Sequence, residues 1–223
     1  MSENPTVEVF ADIGCPFTYV GLHRILAERD RRGSKVRLHV RAWPLELVNN
    51  APFDTDHLDA EIVGMRDTVA PELFAGFNPQ TFPRTSLPAF GLAHVAYEKS
   101  LDCGEQVSMA LRTEIFEHGR DVSDPAVLGE VASRFGLVLL DMDTAEELTR
   151  TEWREGKALG VIGSPHFLFP TGEGAFCPGL TIKRRDDGSF DIAPDVETMG
   201  SIFEQMFALG SAPLTRARHR SVG

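Results

Sequence analysis

The apolar positions of this 223-residue chain change period along its length, and the change outlines a fold. Val7 to Ala11 is a short apolar run of strand type, and Val36, Leu38, Val40 and Ala42 alternate with polar residues as in a half-buried strand. Between them, from Pro16 to about Asp30, Tyr19, Leu22, Ile25 and Leu26 recur at helical spacing. Trp43-Pro44 then leaves the strand. Prolines at 52, 71, 79, 83 and 88 predict a stretch without long regular elements. Helical patterning returns over about 86–100 and 104–118. A further helix is expected from the cap at Ser123-Asp124-Pro125 to just before Gly136. Thr144 and Glu147 fit a capping box ahead of a helix reaching about Ala158. The last third reverts to period two: His166 to Phe169, a Pro170 to Gly174 turn, and Ala175 to Cys177 predict a hairpin. A final amphipathic helix at about 195–209 presents Val196, Met199, Ile202, Phe203, Met206 and Phe207 on one face.

The order is β-α-β, a helical block, then α-β-β-α. It predicts an α/β fold: a thioredoxin-like sheet with an inserted all-helical subdomain, residues 1–50 and 155–210 forming the sheet domain and 51–154 the insertion. Residues 211–223, with Arg216 to Arg220, are expected to be a solvated basic tail.

A hydrophobic content of 42% supplies a core, and a net charge of −11 disfavours nucleic acid and anionic membrane as partners. The start of the chain has neither a basic n-region nor an apolar h-region, and no later run approaches a membrane span, so a cytoplasmic location is expected. Three scattered cysteines, Cys15, Cys103 and Cys177, are too few for a disulfide framework or a zinc site, and no metal is expected.

The chemistry centres on Asp12-Ile13-Gly14-Cys15-Pro16-Phe17-Thr18-Tyr19, which carries Cys15 from a strand into the first turn of a helix. Unpaired N–H groups and the positive dipole end there favour a thiolate, which predicts a lowered thiol pKa. Pro16 suits the first helical position. A Cys-x-x-Cys pair would need a second cysteine at position 18, where Thr18 stands and can donate its hydroxyl to the sulfur. Cys177, in the second strand of the hairpin, is either a partner thiol or a structural residue. His166 is either a thiolate neighbour or an ordinary strand histidine, and Phe17, Trp43 and Phe53 line a groove or fill the core. Gly156-Lys157-x-x-Gly160-x-x-Gly163 runs from helix into strand, the wrong direction for a phosphate loop.

Taken in order, Asp12-x-x-Cys15-Pro16-Phe17-x-Tyr19-x-Gly21, Trp43-Pro44-Leu45-Glu46-Leu47, the block from Leu111 to Leu128, and Gly160-Val161-x-Gly163-Ser164-Pro165-x-Phe167 resemble one family. It is that of DsbA-type thiol oxidoreductases, with the FrnE-like proteins, 2-hydroxychromene-2-carboxylate isomerases and kappa-class glutathione transferases. The resemblance covers roughly residues 6–209. It implies a cis proline at Pro165 facing Cys15, and backbone contacts from Ser164 to an extended sulfur-bearing substrate. By the same resemblance Cys15, Thr18 and Pro165 carry catalysis, and Pro16, Phe17, Trp43, Ser164 and His166 bind substrate. The chain departs from the redox members at Thr18 and from the isomerases and transferases at Cys15, where they carry serine. Three functions follow: a single-cysteine oxidoreductase, a thiol-cofactor-dependent isomerase or transferase acting on a small apolar substrate, and a non-catalytic binding module. No tightly bound cofactor is expected, and a low-molecular-weight thiol is the expected co-substrate. The residues leave oligomeric state open, a homodimer included.

Overall fold

The computed structural model describes residues 5–208. β1 (Thr6–Ala11), α1 (Pro16–Arg32) and β2 (Arg37–Ala42) form the opening unit, with β1 and β2 parallel from Thr6 opposite Arg37 to Ala11 opposite Ala42. α1 ends where Gly33 adopts the left-handed conformation, and its N–H reaches back to the carbonyls of Arg29 and Asp30. β3 (His166–Leu168) pairs antiparallel with β1, and β4 (Gly174–Phe176) pairs antiparallel with β3. The sheet order is therefore β2-β1-β3-β4, the thioredoxin-like arrangement. The C-terminal ends of β1 and β4 and the start of β3 meet at one edge, where the motif lies.

Between β2 and β3 lie α2 (Leu45–Asn49), α3 (Thr55–Thr68), α4 (Leu87–Lys99), α5 (Leu101–Phe116), α6 (Pro125–Phe135) and α7 (Met142–Ala158). The prolines do not prevent regular structure here. Pro52 and Pro71 bracket α3, and Asp54 caps it by accepting from the N–H groups of Asp56 and His57. Leu58, Ile62 and Met65, spaced i, i+4, i+7, are buried on one side of α3. α7 corrects a second expectation. Its cap is Asp141, which accepts from the Thr144 N–H and hydroxyl, so the helix starts one turn earlier than a box on Thr144 requires. After β4 comes an unanticipated hairpin of β5 (Leu180–Arg184) and β6 (Phe190–Pro194), turned at Gly188 with φ 87°, and then α8 (Val196–Ala208). The basic tail expected at 211–223 lies outside the described residues.

Two large apolar clusters hold these layers. Val7, Val9, Leu22, Ile25, Leu38, Phe167, Ile202 and Met206 pack the sheet against α1 and α8. Each such fully buried side chain stabilises by about 1.5–3 kcal/mol. The larger cluster joins the helices to the motif through Ile13, Tyr19, Phe74, Phe90, Leu111 and Phe116. Tyr19 seals that junction: its ring stacks on Phe116 and its hydroxyl donates to Glu117 at 3.0 Å, while Glu117 also accepts the Phe74 N–H at 2.8 Å. No described helix is long and apolar enough to cross a membrane. Among the described residues no group of three or more His, Cys, Asp or Glu is placed to hold a metal ion.

Candidate active site

Cys15 is the N-cap of α1, with φ −80° and ψ 115°, and Pro16 occupies the first turn. The loop that carries it is fixed by Asp12, which is fully buried. One Asp12 carboxylate oxygen accepts the Gly14 N–H at 2.8 Å, and the other accepts the Leu45 N–H at 2.5 Å. Burial pushes the Asp12 carboxyl up to about 6, against the pull of those two N–H donors. Beneath it the buried Arg112 of α5 donates to the Asp12 carbonyl at 3.0 Å and to the Ser108 carbonyl and hydroxyl at 2.8 and 2.6 Å. Desolvation lowers the guanidinium to about 10, while Tyr97, Asp12 and Cys15 hold it up. Gly14 lets two rings pack onto the loop: a Cβ there would meet the Phe82 ring at 2.8 Å and the Phe53 ring at 3.2 Å, so a larger residue would have to displace them.

The other half of the site comes from the segment before β3. The Ser164–Pro165 peptide bond is cis. The Cys15 thiol donates to the Ser164 carbonyl at 3.4 Å, and the Ser164 hydroxyl accepts the Asp12 N–H at 2.8 Å. Ser164 Oγ and Thr18 Oγ1 are 3.0 Å apart. With Ser164 donating in that pair, the Thr18 hydrogen is left for the Cys15 sulfur. The Pro165 carbonyl accepts the N–H of Cys177 at 2.8 Å.

The thiol pKa corrects the expectation drawn from the helix start. Burial pushes Cys15 up, and it outweighs the Ser164 and Thr18 hydroxyls and the Thr18 N–H, which pull down. The reduced thiol is therefore protonated at neutral pH and satisfied by the Ser164 carbonyl.

Cys15 opens onto a cavity of about 470 Å³ lined by Pro16, Phe17, Ser164 and Cys177 from the expected set, and by Phe53. Trp43 and His166 do not line it. Trp43 is buried edge-on to Phe10 at 6.4 Å, which makes it a core residue. His166 Nδ1 accepts the Ile162 N–H at 3.3 Å, and burial lowers its pKa, which fits a neutral strand histidine. Thr18 is buried behind Cys15. Cys177, at φ 41°, follows β4 and shares the cavity; both cysteines are free. Burial, then the nearby Cys15 and Glu61, push the Cys177 thiol up to about 12.

The far wall is what sequence reasoning missed: Leu45, Asn49, Asp54, His57, Leu58 and Glu61, from α2, α3 and the turn between them. The signal for it was present in Asp54 followed by the i, i+4, i+7 apolar spacing of α3.

The family model for the DSBA-like thioredoxin domain matches residues 6–181. The chain belongs to that family. Solved structures share the fold of this DSBA-like chain. A probable DsbA oxidoreductase from Streptomyces coelicolor is 19% identical, with 99% of this chain and 97% of that one covered and a TM-score of 0.61. The cytosolic disulfide reductase DsbM from Pseudomonas aeruginosa is 14% identical over 92% and 95% of the two chains, with a TM-score of 0.58. A 2-hydroxychromene-2-carboxylate isomerase is 12% identical over 77% and 88%, with a TM-score of 0.51. The sequence has no match among curated proteins.

Proposed function

We propose that the protein is a thiol-disulfide oxidoreductase that works through the single motif cysteine, Cys15. The observation that carries this reading is Cys15 at the start of α1, hydrogen-bonded to Ser164 and facing a cavity of about 470 Å³. Cys15 attacks a substrate disulfide as its thiolate, forming a mixed disulfide and releasing one substrate thiolate. A low-molecular-weight thiol then attacks the substrate sulfur, which restores Cys15 and leaves a new disulfide. Thr18 holds the sulfur through its N–H and hydroxyl, and cannot resolve the intermediate as a cysteine would.

The raised thiol pKa favours the reducing direction. An oxidant of this fold class gains its driving force from a stabilised thiolate, and burial here withholds that stabilisation. Three free thiols suit a reducing compartment, the cytoplasm. One solved structure sharing the fold is DsbM with GSH, 15% identical with a TM-score of 0.53, which makes glutathione the first co-substrate to test.

The apolar share of the lining, with Phe17, Phe53, Leu58 and Ile182, supports a second reading. In it Cys15 and Thr18 orient the sulfur of a bound thiol cofactor while a small apolar substrate is isomerised or conjugated. One experiment separates the two: incubation with a peptide disulfide and glutathione, followed by mass spectrometry of the intact protein and its peptides. The oxidoreductase reading expects a Cys15 mixed disulfide and peptide reduction, both lost in Cys15→Ser. Turnover that survives Cys15→Ser refutes it.

A further inference from the structure

Glu61 stands apart from the other acids that line the cavity. Glu46 is occupied: its Oε1 accepts from the Ser86 N–H at 2.8 Å and from the Thr85 hydroxyl at 2.9 Å. Asp54 is occupied too, as the cap of α3. The Glu61 carboxylate, on the second turn of α3 and with a side chain only 14% exposed, has one polar contact among the described residues, His57 Nε2 at 3.3 Å. His57 in turn is fixed edge-on to Phe190 at 4.9 Å. From β6 it is Phe190 and Ile192 that face α3, and the β6 acid Asp191 is turned to Arg185. Cys15 at the cap of α1 and Cys177 after β4 line the same space, and among the described residues no lysine or arginine does.

We propose that Glu61 is the proton carrier of the thiol-exchange cycle, taking the proton from the incoming thiol and returning it to Cys15. The inference rests on the oxidoreductase reading. In the resolving step the Glu61 carboxylate accepts the S–H proton of the small thiol, whose sulfur attacks the substrate sulfur of the mixed disulfide. The S–S bond to Cys15 breaks, the substrate leaves as a disulfide with the small thiol, and Cys15 departs as a thiolate. Glu61 then protonates that thiolate and returns to the carboxylate. One S–S bond is exchanged for another: the small-thiol sulfur is oxidised by one electron as it enters the new disulfide, the Cys15 sulfur is reduced by one, and Cys15 is unchanged over the full cycle.

Burial pushes the Glu61 carboxyl up to about 7, which suits a group that must both take and give a proton near neutral pH. Cys15, with its own pKa raised, leaves poorly as a naked thiolate, so a proton source in the same cavity answers a need the site itself creates.

The test uses the full chain carrying Cys103→Ser and Cys177→Ser, with Cys15 loaded as a mixed disulfide to glutathione, and mass spectrometry of the acid-quenched intact protein reads the free Cys15 thiol. Release of Cys15 by 2-mercaptoethanol is followed across pH. With Glu61 intact the rate carries an inflection near pH 7 beyond the ionisation of 2-mercaptoethanol itself. Glu61→Gln removes the inflection and slows release above it by about tenfold or more, while Glu61→Asp keeps an inflection. An unchanged pH profile in Glu61→Gln, or no inflection with Glu61 intact, overturns the proposal while leaving the role of Cys15 standing. Failure of Cys15 to load or to release at any pH overturns both.

Discussion

Replacing Ser164 by alanine tests how the two halves of the site are held together. The Ser164 hydroxyl is the acceptor for the buried Asp12 N–H at 2.8 Å and the partner of the Thr18 hydroxyl at 3.0 Å. Alanine leaves the Asp12 N–H unsatisfied, which costs about 1–3 kcal/mol, and deletes the bond to Thr18, worth about 0.5–1.5 kcal/mol net. Ser164→Ala should therefore destabilise by about 2–4 kcal/mol. Thr18→Val is nearly isosteric, keeps the Asp12–Ser164 bond, and should cost about 1 kcal/mol. Because both variants delete the same hydroxyl pair, the double variant should fall short of the sum by about 1 kcal/mol. Urea unfolding followed by fluorescence of the buried Trp43 and partly buried Trp153 measures all three. The same variants should raise the Cys15 pKa further, since both hydroxyls lower it. A Ser164→Ala cost below about 0.5 kcal/mol, or strict additivity, would refute the chain from Asp12 through Ser164 to Thr18.

Three further outcomes are expected. Alkylation of Cys15, located by mass spectrometry, should still be accelerating above the ordinary thiol value of about pH 8.5; a plateau below about pH 8 would show that the helix start outweighs burial. Thr18→Cys should supply a resolving thiol and raise insulin reduction without added small thiol, whereas the natural chain shows little; equal activity in both would mean that a second native cysteine already serves. Asp12 binds a proton more tightly folded, at about 6, than unfolded, at 3.8, so its contribution is full below about pH 4 and is lost as pH rises to about 6. That loss amounts to ~3 kcal/mol, and Asp12→Asn should remove this slope from urea-unfolding stabilities measured between those pH values.

The sheet was legible because its strands carry their own pattern: β1 as an apolar run, β2 by alternation, β3 and β4 by a Pro/Gly turn between two short runs. Cys15 at the start of α1 was legible for the same local reason. Three features were not. α3 was masked by prolines that turn out to flank it, since a proline outside the first turn says nothing against the helix beyond. The start of α7 hung on a choice between two good cap residues, Asp141 and Thr144, and only the hydrogen bonds decide it. The Cys15 pKa depends on how completely the helical block and the Ser164 loop cover the sulfur. That is a tertiary quantity, and a helix-start rule cannot supply it.

Cys15 and the Ser164 carbonyl that receives its proton are separated by 149 positions in the chain. A ribosome adding about 5–20 residues per second exposes the motif on the order of ten seconds before its partner segment has been made. Through that interval the Asp12 N–H and the Thr18 hydroxyl lack Ser164, and Cys15 is an ordinary accessible thiol in the cell. The nascent chain is thus the form most open to stray oxidation, and a reducing environment protects the protein chiefly while it is being made.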